Sequence, residues 1–475
     1  MDDSWATFGR DLHLDLAGGG GVRASLMRAL REAVRTGRLA PGTRLPSSRS
    51  LAVDLGIARN TVADAYAELV AEGWLGARQG SGTRVARRAE PLRPAPPARR
   101  AVPARAPDRP RYDLRPGTPD VSAFPRAAWL AAARRAITAA PSEAFGYGPS
   151  LGRPELRTVL ADYLARARGV RTDPDRILIC TGFMQGLGLL ARALRGAGVR
   201  EIGTEAYGLH FHRDVLTRAG LRPVPLPVDQ YGADTGRLAE QAGVRAALLT
   251  PAHQFPTGVP LHPDRRAAVI DWARAGGGLV LEDDYDGEFR YDRQPVGAVQ
   301  GLDPDRVAYL GTASKSLAPA LRLAWMALPD HLVEPVLALK STGEWQTAAL
   351  EQLTLAEFLT SGAYDRHVRG MRLRYRRRRD QLVTALAGQA PHIRVSGIAA
   401  GLHVVLELPP GTEQSVVQAA RWQGLALEGL SSFAYPAAAD GAPLRDALVV
   451  AYGRPPEHAF AGALEALLRV LPPVP

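Results

Sequence analysis

Residues 87–111 constrain this chain more than any other segment. From Arg87-Arg88-Ala89-Glu90-Pro91 to Arg109-Pro110-Arg111 they are rich in Pro, Ala and Arg and show no apolar periodicity. Such a stretch cannot bury a core, and its prolines favour an extended, semi-rigid connection. The whole chain of 475 residues is too long for one ordinary core. The connection therefore predicts a small domain over 10–86, a linker over 87–111 and a large domain over 112–475.

Charge is distributed unevenly across that boundary. Residues 1–111 hold 19 arginines against 11 acidic residues, whereas the rest of the chain contributes little to the net charge of +11. A basic first quarter points to a polyanionic partner, although part of the excess lies in the linker itself. No stretch reaches the length of uncharged apolar residues that spans a bilayer, so no membrane is expected as a partner. The start, with Asp2 and Asp3, lacks a basic-then-apolar leader, and the lone Cys180 has no intrachain partner for a disulfide. Both fit a cytoplasmic location.

The small domain reads as three helices and a hairpin. Leu26, Leu30 and Val34 recur every four residues along a first helix, which Gly37 ends. Ser47 or Ser48 can cap a second helix carrying Leu51 and Leu55, which Gly56 breaks. A third helix begins near Arg59, with Val62, Tyr66, Leu69 and Val70 on its core face and Gly73 at its end. Residues 74–78 and 83–85 then flank Gln79-Gly80-Ser81-Gly82, a hairpin by its turn chemistry. Two helices joined by a tight glycine turn, followed by a hairpin, make a winged helix-turn-helix. The core face of the third helix leaves Arg59, Asn60 and Thr61 free at its N-terminal end. That end enters a major groove, and Arg and Asn carry the forks that read guanine and adenine edges. The stretch LPSSRSLAVDLGIARNTVADAYAELVAEGWLGARQGSGTRVA resembles the GntR-type winged-helix domain over nearly its whole length. The resemblance implies double-stranded DNA as partner, met by Arg49, Arg59, Thr61 and the wing residues Gly80, Ser81 and Gly82.

The large domain alternates apolar runs with helix-like segments. Runs at Ile177–Cys180, Ala246–Thr250, Gly278–Glu282 and Val307–Gly311 are separated by segments such as Leu187–Leu194 and Arg265–Ala275. This α/β pattern predicts a parallel sheet covered on both faces, with ligands at the carboxyl ends of its strands. One residue there stands out. Of 59 basic residues only Lys315 and Lys340 are lysine. Arginine serves for surface charge throughout, but it cannot supply an amine that loses its proton and attacks a carbonyl carbon. Lys315 follows the run Val307–Gly311 directly, at the mouth of a buried strand.

Three further groups lie at strand ends. Thr181-Gly182-Phe183 opens a helix, where glycine lets backbone amides close on a phosphate. Glu282-Asp283-Asp284-Tyr285-Asp286 reads as a metal site, a solvated turn, or a place where a carboxylate held against a pyridinium nitrogen would make that ring an electron sink. Arg322, among Leu321, Leu323, Ala324 and Trp325, needs an anion, either a phosphate or a protein carboxylate. His253, in Pro251-Ala252-His253-Gln254-Phe255, reads as a structural histidine. A phosphate cradle, a carboxylate, a lysine and a second phosphate ligand, in this order, describe pyridoxal 5'-phosphate.

From about Asp113 onward the chain resembles fold type I aminotransferases: a parallel-rich sheet with helices on both faces and a smaller C-terminal subdomain. TPAHQFPTG, EDDYDGEFRY and GTASKSLAPALRLAW, joined to a GntR-type N-terminus, resemble the MocR subfamily of transcriptional regulators. The resemblance implies that Lys315 forms the internal aldimine, Asp283 pairs with the pyridine nitrogen and Tyr285 with the phenolic oxygen. Asp284 is the competing choice for the nitrogen. Thr181, Gly182, Phe183, Thr312 and Arg322 are implied around the phosphate. Tyr147 is implied to reach the cofactor of a second copy, in a homodimer.

The pattern departs from the enzymes at the substrate end. Val449 stands where aminotransferases place the arginine that grips a substrate carboxylate, with Arg454 nearby as a substitute. Phe255 replaces a common asparagine, and Arg213 matches a subfamily arginine implied to contact an effector. The expected function is a regulator without significant turnover, sensing pyridoxal phosphate or a small amine or amino acid. Vitamin B6 synthesis is the favoured target. The alternative is a working aminotransferase carrying a DNA-binding-like domain.

Overall fold

The computed structural model describes residues 14, 16, 21–78, 82–87, 110–291, 296–343, 346–436 and 445–473. The chain divides into two compact units, residues 1–108 and 109–475.

In the first unit α1 (Gly21–Arg35), α2 (Ser48–Leu55) and α3 (Arg59–Ala71) precede β1 (Leu75–Arg78) and β2 (Gly82–Val85). The core is the one the periodicity predicts: Leu26, Leu30, Val34, Leu51, Val62, Tyr66 and Leu69 are buried together, with Leu55 and Val70 partly buried against them. Ser47, rather than Ser48, caps α2 by accepting from the Ser50 amide at 3.1 Å. Gly56 ends α2 in the left-handed region, φ 64°, which glycine adopts without the Cβ penalty. β1 and β2 pair antiparallel, Leu75 with Val85 and Arg78 with Gly82. Gly82 thus opens the second strand, while Gly80 and Ser81 lie outside the described residues.

The second unit is built on a seven-stranded sheet. Its strands are β3 (Ile177–Cys180), β4 (Glu201–Glu205), β5 (Arg222–Leu226), β6 (Val244–Leu249), β7 (Leu279–Asp284), β8 (Val307–Thr312) and β9 (Ala324–Ala327), in spatial order β3-β9-β8-β7-β6-β4-β5. All neighbours are parallel except β9, which runs against both β8 and β3. Helices cover both faces: α4 (Arg126–Ala139), α5 (Pro154–Arg168), α6 (Phe183–Gly196), α7 (His210–Arg218), α8 (Pro263–Gly276), α9 (Asp330–Gly343) and α10 (Ala349–Thr360). β3 shows why its run is unbroken: Ile177 and Ile179 join one buried cluster, Leu178 and Cys180 another on the opposite face. Three strands escape the apolar-run reading. β4 is Glu-Ile-Gly-Thr-Glu, with one large apolar residue. β5 holds Pro223 and Pro225, which its edge position tolerates because one side of it needs no ladder donors. β9 is the apolar stretch after Arg322, here a strand in its own right.

The C-terminal part adds the long α11 (Ala363–Gln389), α12 (Glu413–Trp422) and α13 (Glu457–Val470) around a four-stranded sheet. Its strands β10 (Arg394–Ser396), β11 (Val404–Glu407), β12 (Glu428–Gly429) and β13 (Ala447–Val450) lie in the order β10-β11-β13-β12, all antiparallel. Leu406, Leu448, Tyr375, Leu382, Phe460 and Leu467 form its core. No helix among the described residues is long and apolar enough to cross a membrane.

Both lysines are engaged. Lys340, on α9, is fully buried and donates to the carbonyl oxygens of Ser150 and Ile179, tying α9 to the end of β3. At the other side of the sheet Arg168, the last residue of α5, meets Asp284 through Nε at 2.6 Å and Nη2 at 3.1 Å. Tyr309 donates to the same carboxylate at 2.8 Å, and all three groups are buried. Removing one member of such a pair leaves an uncompensated charge. Arg168→Met is expected to destabilise the second unit by about 3–5 kcal/mol, read as a lower urea midpoint by tryptophan fluorescence. An unchanged midpoint would mean that Asp284 does not carry its charge in the fold.

Candidate functional site

The carboxyl ends of the parallel strands open into a cavity of about 300 Å³. β7 delivers Asp283 and, one residue past its end, Tyr285; the end of β8 delivers Thr312 and the loop after it Ser314 and Lys315; Arg322 comes from the turn before β9 and Phe183 from the first turn of α6. The pleat separates the two adjacent aspartates. Asp283 lines the cavity, while Asp284 faces Arg168 on the other side of the sheet. Lys315 is half-buried and donates through Nζ to the Gly117 carbonyl at 2.6 Å. Burial lowers its pKa below the usual amine value, against the opposing pull of Asp283 and Asp286. Burial likewise lifts the Asp283 carboxyl well above the usual carboxylate range, with Lys315 pulling it back.

At the other end of the cavity Gly182 precedes α6 with φ 130° and ψ 165°. A Cβ there would stand 2.7–2.9 Å from the Arg322 guanidinium, so only glycine leaves room for that side chain. Arg322 holds φ 52°, the one positive φ outside glycine among the described residues. Strain of this kind costs roughly 1–3 kcal/mol and clusters at functional sites. No protein carboxylate pairs with Arg322 among the described residues. Its side chain is exposed at the cavity, not buried among the apolar residues that flank it in sequence, because the left-handed turn carries it off the strand. Thr312 Oγ1 donates to Ser314 Oγ at 2.9 Å, and its oxygen accepts the Ser314 amide at 3.1 Å. Of the Thr181-Gly182-Phe183 trio only Phe183 lines the cavity; the Thr181 amide donates to Gln185 Oε1 at 2.8 Å.

Behind these groups lie partners that motif reading assigned no role. His253 Nδ1 sits 2.9 Å from Asp286 Oδ2 and 3.1 Å from the Tyr285 hydroxyl, so a buried His–Asp pair steadies the phenol. Gly401 closes over it, since a Cβ there would fall 2.2 Å from the His253 ring. Glu205, at the end of β4, accepts from the Thr250 hydroxyl at 2.6 Å and amide at 3.1 Å and from Gln254 at 3.1 Å. Burial pushes its carboxyl up to about 7 in spite of these bonds. Burial pulls His212 and His403 down to about 3, so both are neutral rings in the cavity wall. His212 packs on Phe183 with centroids 4.7 Å apart, and His403 on Phe255 at 5.3 Å. The histidines carried no signal in sequence beyond their type.

The substrate end is apolar. Val449 is fully buried in a cluster with Phe255, Val405, Leu430 and Phe433, against which Tyr207, Leu209 and Tyr285 pack. Arg213 does line the cavity, its guanidinium 5.1 Å from the Tyr435 ring centroid and donating to Gly208 O at 3.3 Å. Arg454 is not brought to the cavity: it pairs with Asp113 at 2.8 Å and donates to Arg115 O at 3.3 Å. Tyr147 also lies outside the cavity and is 86% exposed.

In the first unit Arg49, Arg59 and Asn60 are exposed and Thr61 is partly so. Ala58 caps α3 without a side-chain hydrogen bond. Gly82 lies against Arg44, whose Nε would be 3.2 Å from an added Cβ.

Residues 23–85 match the family of bacterial regulatory proteins of the gntR type, and residues 116–440 match aminotransferase class I and II. The chain belongs to the MocR-type GntR regulators, in which a DNA-binding helix-turn-helix is joined to an aminotransferase-like domain. It is 33% identical over 412 residues to the pyridoxine biosynthesis transcriptional regulator PdxR of Corynebacterium glutamicum, covering 87% of this chain and 88% of that one. It is 32% identical over 428 residues to the probable rhizopine catabolism regulatory protein MocR of Rhizobium meliloti, covering 86% of each. In fold it is similar to an archaeal alanine:glyoxylate aminotransferase, with TM-score 0.68 and 24% identity over 76% of this chain and 90% of that one. That fold implies pyridoxal phosphate as the cofactor.

Glu205 gives the site a pH signature. Its carboxyl ionises near 4.5 when unfolded and near 7 when folded. The unfolded chain releases the proton first, so stability falls as pH rises from 4.5 to 7 and is level above. Glu205→Gln removes this loss. The stability of the variant relative to the parent should grow by roughly 2–4 kcal/mol across that window, measured by urea unfolding at several pH values. A flat difference would mean that the Glu205 carboxyl keeps its solvent.

Proposed function

We propose that this regulator holds pyridoxal 5'-phosphate in the cavity around Lys315 and senses either that compound or a small amine exchanging with it. The observation that carries the reading is the convergence in one cavity of a depressed lysine, a buried aspartate and an arginine over glycine that has no carboxylate partner among the described residues. The donor set fits the group. Arg322, Thr312 and the start of α6 at Gly182 and Phe183, with Thr181 behind, would hold the phosphate. Asp283 would face the ring nitrogen, and Tyr285, steadied by His253 and Asp286, would donate to the phenolic oxygen. When bound, the cofactor supplies an aldehyde that condenses with amines. Lys315 is the resident amine: burial raises its neutral fraction, and Gly117 O orients its Nζ. The neutral rings of Phe183, His212, Phe255 and His403 exclude water and favour a flat ligand.

The apolar cap at Val449 supports a sensor over an aminotransferase, since Arg213 is the one cavity arginine left at the end away from Arg322. Arg454, held by Asp113, would need to leave that pair to serve as a carboxylate clamp. A relative named for pyridoxine biosynthesis supports vitamin B6 supply as the regulated process. Exposed Tyr147 fits a homodimer whose partner copy it would reach, and two heads then suit two half-sites. In each head Arg49, Arg59, Asn60 and Thr61 would meet DNA, with the wing around Gly80, Ser81 and Gly82. The ligand acts on transcription by its differential affinity for two arrangements of the protein.

Purified protein with pyridoxal phosphate is expected to show a visible absorption band that Lys315→Ala abolishes. Binding to its own upstream DNA should change with the cofactor in the parent and not in that variant. A band with unchanged DNA binding would point to an amine effector, and no band would overturn the reading of Lys315. Separately, Arg59→Ala should weaken DNA binding by about 1–3 kcal/mol in gel-shift titrations and leave the absorption band intact. Unchanged DNA affinity would remove α3 as the reading helix.

A further inference from the structure

A second cavity, of about 580 Å³, opens in the same unit between the end of α5, the loop after β7 and the first turns of α11. Five arginines line it, Arg166, Arg168, Arg290, Arg369 and Arg372, against two acidic residues, Glu288 and Asp365. Three of these arginines are engaged, Arg168 by Asp284, Arg166 by Asp365 at 2.9 Å and Arg290 by a contact of its own, which leaves Arg369 and Arg372. Arg372 donates through Nε and Nη2 to the Glu288 carbonyl at 3.0 and 2.7 Å, contacts that fix its guanidinium without neutralising it. Arg369, on the same face of α11 at i,i+3, is exposed and makes no ion pair among the described residues.

Glu288 offsets only part of this charge. It accepts from the Tyr163 and Tyr364 hydroxyls at 3.3 and 3.2 Å, and burial lifts its carboxyl to about 7. The cavity therefore gathers positive charge in a concave wall, where field lines focus and self-repulsion is highest. A bound anion relieves both. Guanidinium forks suit the tetrahedral oxygens of a phosphate, and Tyr163 and Tyr291 add flat apolar wall beside them.

We propose that this cavity is a second small-molecule site, taking a compound of the phosphate-ester class. It is separate from the phosphate end at Arg322 and does not depend on the reading of Lys315. Inorganic phosphate is the probe. In the full-length Arg322→Gln protein at constant ionic strength, equilibrium dialysis with labelled phosphate should find one phosphate per chain. Arg369→Gln should weaken it about tenfold or more, and that exposed side chain has no packing role to lose. Arg372→Gln should weaken it similarly, with circular dichroism checking that the variant folds. Phosphate that binds nowhere, that vanishes with Arg322→Gln, or that is indifferent to Arg369→Gln would overturn the proposal. Displacement of the phosphate by a short DNA duplex would also overturn it, since the arginines would then serve a nucleic-acid backbone.

Discussion

β7 carries Glu282, Asp283 and Asp284 in succession into the buried end of a sheet, and the site depends on how those three charges are accommodated. Three neighbouring carboxylates in a dry interior repel one another and lose their hydration. The pleat turns Asp283 to one face and Glu282 and Asp284 to the other, and each receives a different treatment. Glu282 accepts the Val299 and Gln300 amides at 2.8 and 2.9 Å, capping a short turn. Asp284 meets a guanidinium and a phenol. Asp283 alone turns toward the cavity, where the nearest compensating charge is Lys315. The fold thus satisfies two carboxylates internally and leaves the third to whatever the cavity holds. That asymmetry is what makes Asp283, rather than Asp284, available to a ligand.

The same logic runs through the opposite end of the cavity. A glycine with φ 130° and an arginine strained at φ 52° together lay a guanidinium across the start of α6, with no protein carboxylate paired to it among the described residues. The strain at Arg322 is the cost of presenting its guanidinium at the cavity. Lys340 makes the contrast plain. It is the other lysine, buried as well, yet its amine is spent on two backbone carbonyls at the end of β3. Rarity alone therefore did not distinguish the two lysines; position at the mouth of β8 did.

Much of this was legible in sequence because it was written in local patterns. Helix periodicity, the Ser47 cap and the Gly56 stop specify the small unit, whose contacts are mostly between neighbours in the chain. The apolar runs at β3, β6, β7 and β8 specify the sheet centre, since strands buried on both faces need unbroken hydrophobicity. β5 was hidden by its prolines, which an edge forgives, and β4 by having one large apolar residue. The choice between Asp283 and Asp284 was hidden for another reason: it depends on Arg168, 116 residues away. The His253–Asp286–Tyr285 contact is likewise tertiary, and nothing in TPAHQFPTG distinguishes a histidine that supports a tyrosine from one that fills space.

What separates this domain from the enzymes whose fold it shares is the treatment of the substrate end. An enzyme that exchanges amino groups must grip a carboxylate and let the product go, and a buried guanidinium opposite the phosphate does both. Here that position is a valine packed among Phe255, Val405 and Phe433, and the surrounding histidines are held neutral. Such a wall gives little purchase to the carboxylate of an amino acid and good contact to a flat aromatic ring. Joined to a helix-turn-helix, a wall of this character is what the proposed role as a gauge of the cofactor calls for.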